Sequence, residues 1–282
     1  SITYLPQAEP LGLAHAVLTA KDFIGESPFV MYLGDNLLRD GIVTLAERFK
    51  ESSPDALILL TKVPDPEHFG VAELKDGKVV ALAEKPPEPK TDLALVGVYM
   101  FTSSIFDAAE AIEPSARGEL EITDAIQYLV DQGKNVEPHL VDGWWKDTGR
   151  LDDMLQANRL VLEDIESKNE GQLTDSTLEG RVVIEPGAVL ERTTVRGPAV
   201  IGAGAKLVDA YIGPYTAIDR DVHIERSEIE YSIVLEGSHI ADLGARMEAS
   251  LIGKFSQVKR TDGMPKTYRM LVGDKCEISV PV

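Results

Sequence analysis

Five apolar residues spaced 17 apart, Ile184, Ile201, Ile218, Leu235 and Ile252, constrain the fold of the C-terminal third of this chain more than any other feature. Between them stand further apolar anchors at steps of five or six: Leu190, Val195, Leu207, Ile212, Ile224 and Ile229. A helix repeats every 3.6 residues and a strand every two, so neither element carries this period. A solenoid does. With three short faces per coil, each coil buries its anchors only against the coils beside it. The period predicts a parallel β-helix of about five coils, each rising by the ~4.8 Å of a normal strand separation. The five step residues should form one inward column. The coils are expected to run from Leu173 to about Val258, and residues 259–282 to fold back as a cap over the open end.

The first half follows another rule. Residues 1–5 read as a strand already under way, with no initiator Met, so the chain is expected to begin inside a domain. Apolar strands at 29–33 and 56–60 alternate with helical patterns, one led by Leu13, Ala16, Val17 and Ala20, the other by Ile42, Leu45, Ala46 and Phe49. Continuously apolar strands alternating with helices predict a mostly parallel sheet covered on both faces. Asp76-Gly77 is a hairpin turn signal, followed by a strand at 93–101, a helix at 119–132 and a short strand at 136–141. The expected organisation is an α/β domain over 1–150, a linker helix over 151–172 that clamps the two domains, and the β-helix with its cap over 173–282.

Charge narrows the partners. Lys and Arg number 28 against 47 Asp and Glu, a formal net charge of −19. Such a surface repels nucleic-acid backbones and anionic lipid. No apolar run is long enough to span a bilayer and no signal peptide opens the chain, so a cytoplasmic location is expected. A single cysteine, Cys276, excludes an internal disulfide. The five histidines (His15, His68, His139, His223 and His239) show no metal-ligand spacing.

Ligands of open α/β sheets sit at the carboxyl ends of strands. Asp35 stands there, between Gly34 and Asn36, and Asp147 follows Trp144-Trp145-Lys146 in a similar setting. Each carboxylate fits a helix cap or turn equally well; together they suit one Mg2+, whose remaining positions go to phosphate oxygens and water. Glu84-Lys85-Pro86 ends a hairpin strand, where an ammonium could neutralise a phosphate and a carboxylate could accept hydrogen bonds from hydroxyls, although an exposed strand-end pair is the plainer reading. Gln7 offers an amide for a base edge, and Gly12 permits close backbone approach where a helix begins.

Taken in order, the stretches at Gln7 with 10–14, Gly34-Asp35-Asn36, Phe69-Gly70-Val71, Glu84-Lys85-Pro86, Gly97-Val98-Tyr99, residues 121–124 and Trp145–Asp147 with Thr148-Gly149 closely resemble the sugar-1-phosphate nucleotidylyltransferases. The match spans roughly the first 145 residues and points to the long form, with a left-handed β-helix behind a Rossmann-like nucleotidyltransferase domain. The resemblance implies thymidylyl transfer from a nucleoside triphosphate to glucose 1-phosphate. In it Asp35 and Asp147 hold Mg2+, and Lys85 grips the phosphate of the sugar 1-phosphate. Glu84 takes the sugar hydroxyls, Gly70, Gly97 and Tyr99 line the sugar pocket, and Gln7 and Gly12 contact the base. The β-helix is expected to assemble a homo-oligomer. The family's Gly-x-Gly-Thr-Arg loop is not found in these residues, so the domain is expected to be N-terminally incomplete and the chain inactive by itself. Two other functions stay open: a non-catalytic sugar-nucleotide-binding regulatory subunit, and a hexapeptide-repeat acyltransferase with His223 or His239 as base.

Overall fold

A computed structural model describes residues 1–260 and 276–279. The chain divides into two compact units, Ser1–Asp147 and Thr148–Val282.

The first unit is a sheet with helices on both faces. Its strands are β1 (Phe29–Tyr32), β3 (Ala56–Lys62), β4 (Gly70–Lys75), β5 (Lys78–Glu84), β6 (Leu93–Phe101) and β7 (Val136–Leu140); β2 (Asn36–Leu38) pairs with β8 (Trp145–Asp147) in a separate ribbon. The main order is β5-β4-β6-β3-β7, with β1 on β6. Alternation along the central strands builds two cores. Ile58, Leu60, Tyr99 and Phe101 pack with the helices α1 (Leu13–Thr19), α4 (Ser104–Ala111) and α5 (Ile122–Asp131). Leu57, Leu59, Val96, Val98 and Met100 face Phe49 of helix α3 (Val43–Ser52), together with Leu38 and Trp145. A short helix α2 (Lys21–Ile24) follows α1.

Two expectations need correction. The sheet is mixed rather than mostly parallel: β1 and β3 are both antiparallel to β6, and only β3 and β7 run parallel. The helical crossovers do orient β1 and β3 alike, but β6, arriving later in sequence, inserts between them. Helix–strand alternation cannot reveal that. Residues 1–5 form no strand; Ile2 and Tyr4 are 80% and 87% exposed. The hairpin turn is as predicted, with Asp76 and Gly77 at φ 52° and 76°, the twist-compatible form that joins β4 to β5.

In the second unit, helix α6 (Leu151–Glu163) precedes the coils. Among the described residues these form three parallel sheets of six, five and six strands. The coils begin at Lys168, slightly before the expected start, and the last strand is Gln257–Lys259. Ile184, Ile201 and Ile218 stack inward as the period requires, but the fourth member is Val234, not Leu235. The step from Ile229 to Val234 is five, against six from Val195 to Ile201 and from Ile212 to Ile218, so this corner is one residue short. Ile252 then pairs with Val234 and restores the column. The expected cap lies largely outside the described residues. No described helix is long and apolar enough to cross a membrane.

Candidate active site

The site grows from one buried amide. After β1 the chain turns, with Asn36 N–H donating to the Leu33 carbonyl at 3.1 Å. Asn36 is 4% exposed. Its Oδ1 accepts from the Gly97 backbone N–H (3.0 Å) and from the Trp145 indole N–H (2.7 Å), while its Nδ2 donates to Asp35 Oδ1 (2.9 Å). Both acceptor positions of the amide are thus used, as burial of a polar group demands. In the β2–β8 ribbon Asn36 stands opposite Asp147. Asp35 and Asp147, far apart in sequence, therefore lie one residue out of register across a single two-strand ladder. Asp147 belongs to β8 itself, and the cap position of α6 is taken by Arg150. Carboxylate oxygens at such neighbouring backbone positions are donors of the kind a hard divalent cation takes.

Gly97 owes its identity to this amide. A Cβ there would lie 2.7 Å from Asn36 Nδ2 and 2.7 Å from Leu33 Cδ1, closer than side chains tolerate. Its tight neighbour is thus protein, not open pocket.

A second group forms where β4 and β5 pair. Gly70 stands opposite Glu84. A Cβ on Gly70 would come within 2.6 Å of Thr123 Cγ2 and 2.9 Å of Glu84 Oε2. Thr123, in the first turn of α5, donates its hydroxyl to Glu84 Oε2 at 3.0 Å. Burial raises the Glu84 carboxyl above its ordinary pKa, opposed by the Thr123 hydrogen bond, and Glu121 adds to the rise while Lys85 and Arg117 counter it. Tyr99 is buried beneath, stacked on Phe101 at 5.8 Å, and burial reinforced by Glu84 pushes its phenol well up, so it stays neutral.

Lys85 is exposed, and its backbone has φ 40° although it is neither glycine nor followed by a permissive residue. A left-handed residue directly before proline is costly. Its N–H, donated to the Phe69 carbonyl at 3.1 Å, holds it there. The Phe69 ring meets Trp145 edge-on at 5.7 Å. Three of the sequence motifs, Phe69-Gly70, Glu84-Lys85 and Trp145–Asp147, therefore converge.

Gln7 and Gly12 form another cluster, built on Leu120. Gly12 has φ 105°, and a Cβ there would fall 2.4 Å from the Leu120 carbonyl oxygen. Leu120 N–H donates to the Leu11 carbonyl at 2.7 Å, and Ala14 N–H donates back to Leu120 at 3.0 Å. The close approach expected at Gly12 is thus met by protein backbone. Gln7 Nε2 donates to the Gly12 carbonyl (3.3 Å) and lies 2.8 Å from His15 Nδ1. Arg117 links this cluster to the one around Glu84. It lies 2.5 Å from Glu119, 3.3 Å from the buried Glu121 and 3.9 Å from Glu84. Ser115 fixes Glu121 with a 2.7 Å bond.

Sequence reading quoted Asn36 and residues 121–124 within its motifs but gave neither Asn36 nor Thr123 a role, and it did not single out Arg117. A glycine inside the apolar strand β6 was the available signal for the first, since such a glycine marks a close approach. Nothing local in the sequence gives Thr123 or Arg117 its role.

Residues 1–164 match the family model described as nucleotidyl transferase. A glucose-1-phosphate thymidylyltransferase of Streptomyces griseus is 50% identical over 275 residues, covering 97% of this chain and 77% of that protein. Its namesake in Streptomyces antibioticus is 50% identical over 282 residues, 99% of this chain and 79% of the relative. Among solved structures, one described as a glucose-1-phosphate thymidylyltransferase from Bacillus anthracis, in complex with sucrose, aligns at TM-score 0.50 and 38% identity. It covers 56% of this chain and 63% of its own.

Proposed function

This chain belongs to the nucleotidyl transferase family, and from that premise we propose that its site serves transfer of a thymidylyl group from the nucleoside triphosphate to glucose 1-phosphate. The register that sets Asp147 against Asn36, beside Asp35, carries this reading. The names of the two Streptomyces relatives support the choice of nucleotide and sugar.

A phosphate oxygen of the sugar 1-phosphate attacks the α-phosphorus in line; one P–O bond forms and the bond to pyrophosphate breaks. The nucleophile is already an anion, so no base is required. The difficulty is bringing anions together, which calls for positioning and charge neutralisation. Asp35 and Asp147 would hold Mg2+, which when bound offsets negative charge on the α-phosphate. Lys85, fixed by its strained backbone, grips the sugar phosphate. Glu84, oriented by Thr123, accepts from sugar hydroxyls, with Gly70 leaving room for the Glu84–Thr123 pair and Tyr99 lining the pocket. Gln7 reaches the base beside Gly12. Cytoplasmic residence and homo-oligomeric assembly through the solenoid belong to the same reading.

Residues 1–282 contain no Gly-x-Gly-Thr-Arg, so binding is the first test on this chain. Calorimetry with glucose 1-phosphate and Mg2+ should give saturable binding that Lys85→Ala weakens more than tenfold, since a charge-assisted contact is worth roughly 1.5–3 kcal/mol. Failure to bind, or binding indifferent to Lys85, would overturn the assignment. A pyrophosphate-release assay accompanies it: turnover by residues 1–282 would place the triphosphate on residues other than those of that loop.

A further inference from the structure

The one-residue-short corner between Ile229 and Val234 changes which residues meet on the outer surface of the next sheet. A constant step of 17 would bring Ile240 onto the coil position of His223. Instead His239, 16 residues on, pairs in register with His223. Ile224 and Ile240 stay inward and fully buried. His223 and Glu225 flank Ile224, so alternation puts both on the outer face, with His239 one coil above.

The side chains confirm a cluster. The two imidazoles stack with centroids 4.8 Å apart and planes 8° from parallel. His223 Nε2 lies 2.8 Å from Glu225 Oε1, and the other carboxylate oxygen is held by Arg226 at 2.9 Å. One ligand atom from each of His223, Glu225 and His239 falls within 4.8 Å of the others. His239 Nε2 is buried and has no hydrogen-bond partner among the described residues. A buried polar nitrogen left unpaired costs free energy, and such an exception calls for a reason. The expectation that the histidines lack metal spacing fails here because the spacing is that of a coil, not of a helix or loop.

We propose that His223, Glu225 and His239 form a site for a borderline divalent transition-metal ion, of which Zn2+ is the probe of choice. Two imidazoles and a carboxylate are a usual protein donor set for tetrahedral Zn2+, leaving one position for solvent. Imidazole nitrogen does not suit Mg2+, so this site is chemically separate from the oxygen pair at Asp35 and Asp147. The ion takes the place of the proton shared between His223 and Glu225. At metal–ligand distances of about 2.0–2.2 Å, tetrahedral ligands stand roughly 3.3 Å apart. Parallel rings cannot both aim in-plane lone pairs at one ion, so binding must turn one imidazole and unstack the pair. The surrounding charges are Lys206, next along the His223 column, with Arg226 and Asp242 beside Glu225 and His239. The bound ion staples two coils together.

Zn2+ titrated calorimetrically into the full chain, in millimolar Mg2+ to occupy oxygen sites, should bind at one ion per chain. His223→Gln and His239→Gln should each weaken that binding at least tenfold, and Glu225→Gln several-fold, with circular dichroism unchanged. Co2+ should give the intense visible bands of a tetrahedral site in the wild type and not in the histidine variants. A variant-free check guards against misfolding: imidazole resonances of His223 and His239 should move on Zn2+ addition while those of His15, His68 and His139 stay. No saturable Zn2+ uptake, or uptake equal in wild type and both histidine variants, would overturn the proposal. So would shifts confined to the other three histidines.

Discussion

The two units respond differently to a missing residue, because they encode register differently. In the solenoid a coil one residue short at a corner keeps every inward side chain inward. Val234 replaces Leu235 in the column and Ile240 remains fully buried. In the sheet of the first unit, β6 is gripped along both edges, by β3 on one side and by β1 and β4 on the other. A one-residue slip there would exchange Tyr99 and Phe101 with Val98 and Met100 between two different cores. Coils pair with neighbours about 17 residues away; β1 meets β6 only after some 70 residues of intervening chain. The first arrangement is modular and the second is not.

The sharpest way to separate them is Gly12→Ala. The new methyl would press on the Leu120 backbone at a φ that L-residues avoid, and overpacking with backbone strain sums to about 3–5 kcal/mol. Hydrogen exchange should show protection lost throughout residues 1–147 while the coils keep theirs. Equal loss in both units would break the comparison. Ile224→Ala, a fully buried truncation in the solenoid, should cost about 2–5 kcal/mol. Its increased exchange should fall on the coils at 207 and 240 and fade beyond them, as nearest-neighbour stacking requires. Asn36→Ala leaves the Gly97 N–H and the Trp145 indole N–H without their acceptor. Two stranded donors imply about 2–3 kcal/mol, read as a lower denaturant midpoint for the first unit alone.

How far the sequence foretold these regions follows the same division. The inward columns of the solenoid were legible except at the short corner, though not its first turn at Lys168, because a period is arithmetic and a corner deletion is visible only as a broken step. The mixed sheet was not, since nothing local in 93–101 says that this strand divides β1 from β3. In the site, Asp35, Glu84 and Asp147 stood out as polar residues at the ends of apolar strands. Arg117 did not: it lies in the loop between α4 and α5, and its link to Glu84, Glu119 and Glu121 exists only after long-range packing.

The smallest expected effect is electrostatic, and its sign differs between units. Glu84 and Asp124 have pKa values raised chiefly by burial. Their folded forms hold protons more tightly than the unfolded chain, so their contribution is full below the unfolded pKa and lost as pH rises through the folded one. Asp209 and Asp242 are lowered first by hydrogen bonds from Arg192 and Arg226. Their contribution is present above the unfolded pKa and lost as pH falls through the folded one. Acidification through the carboxylate range should therefore narrow any stability difference that favours the coils. Glu84→Gln should flatten the profile of the first unit only, and Asp242→Asn that of the solenoid, the latter weakly and less in salt because the pair is exposed.

The bond from Trp145 to Asn36 has a practical use. The chain has two tryptophans, Trp144 and Trp145, and the indole of the second is tied at 2.7 Å to the amide that also orients Asp35. Indole emission responds to the polarity and hydrogen bonding around the ring. With Trp144 changed to Phe, the remaining fluorophore sits two residues from Asp147 and edge-on to Phe69. The molecule then carries its own optical gauge, and ligand binding at the proposed site can be followed in stopped flow without any label.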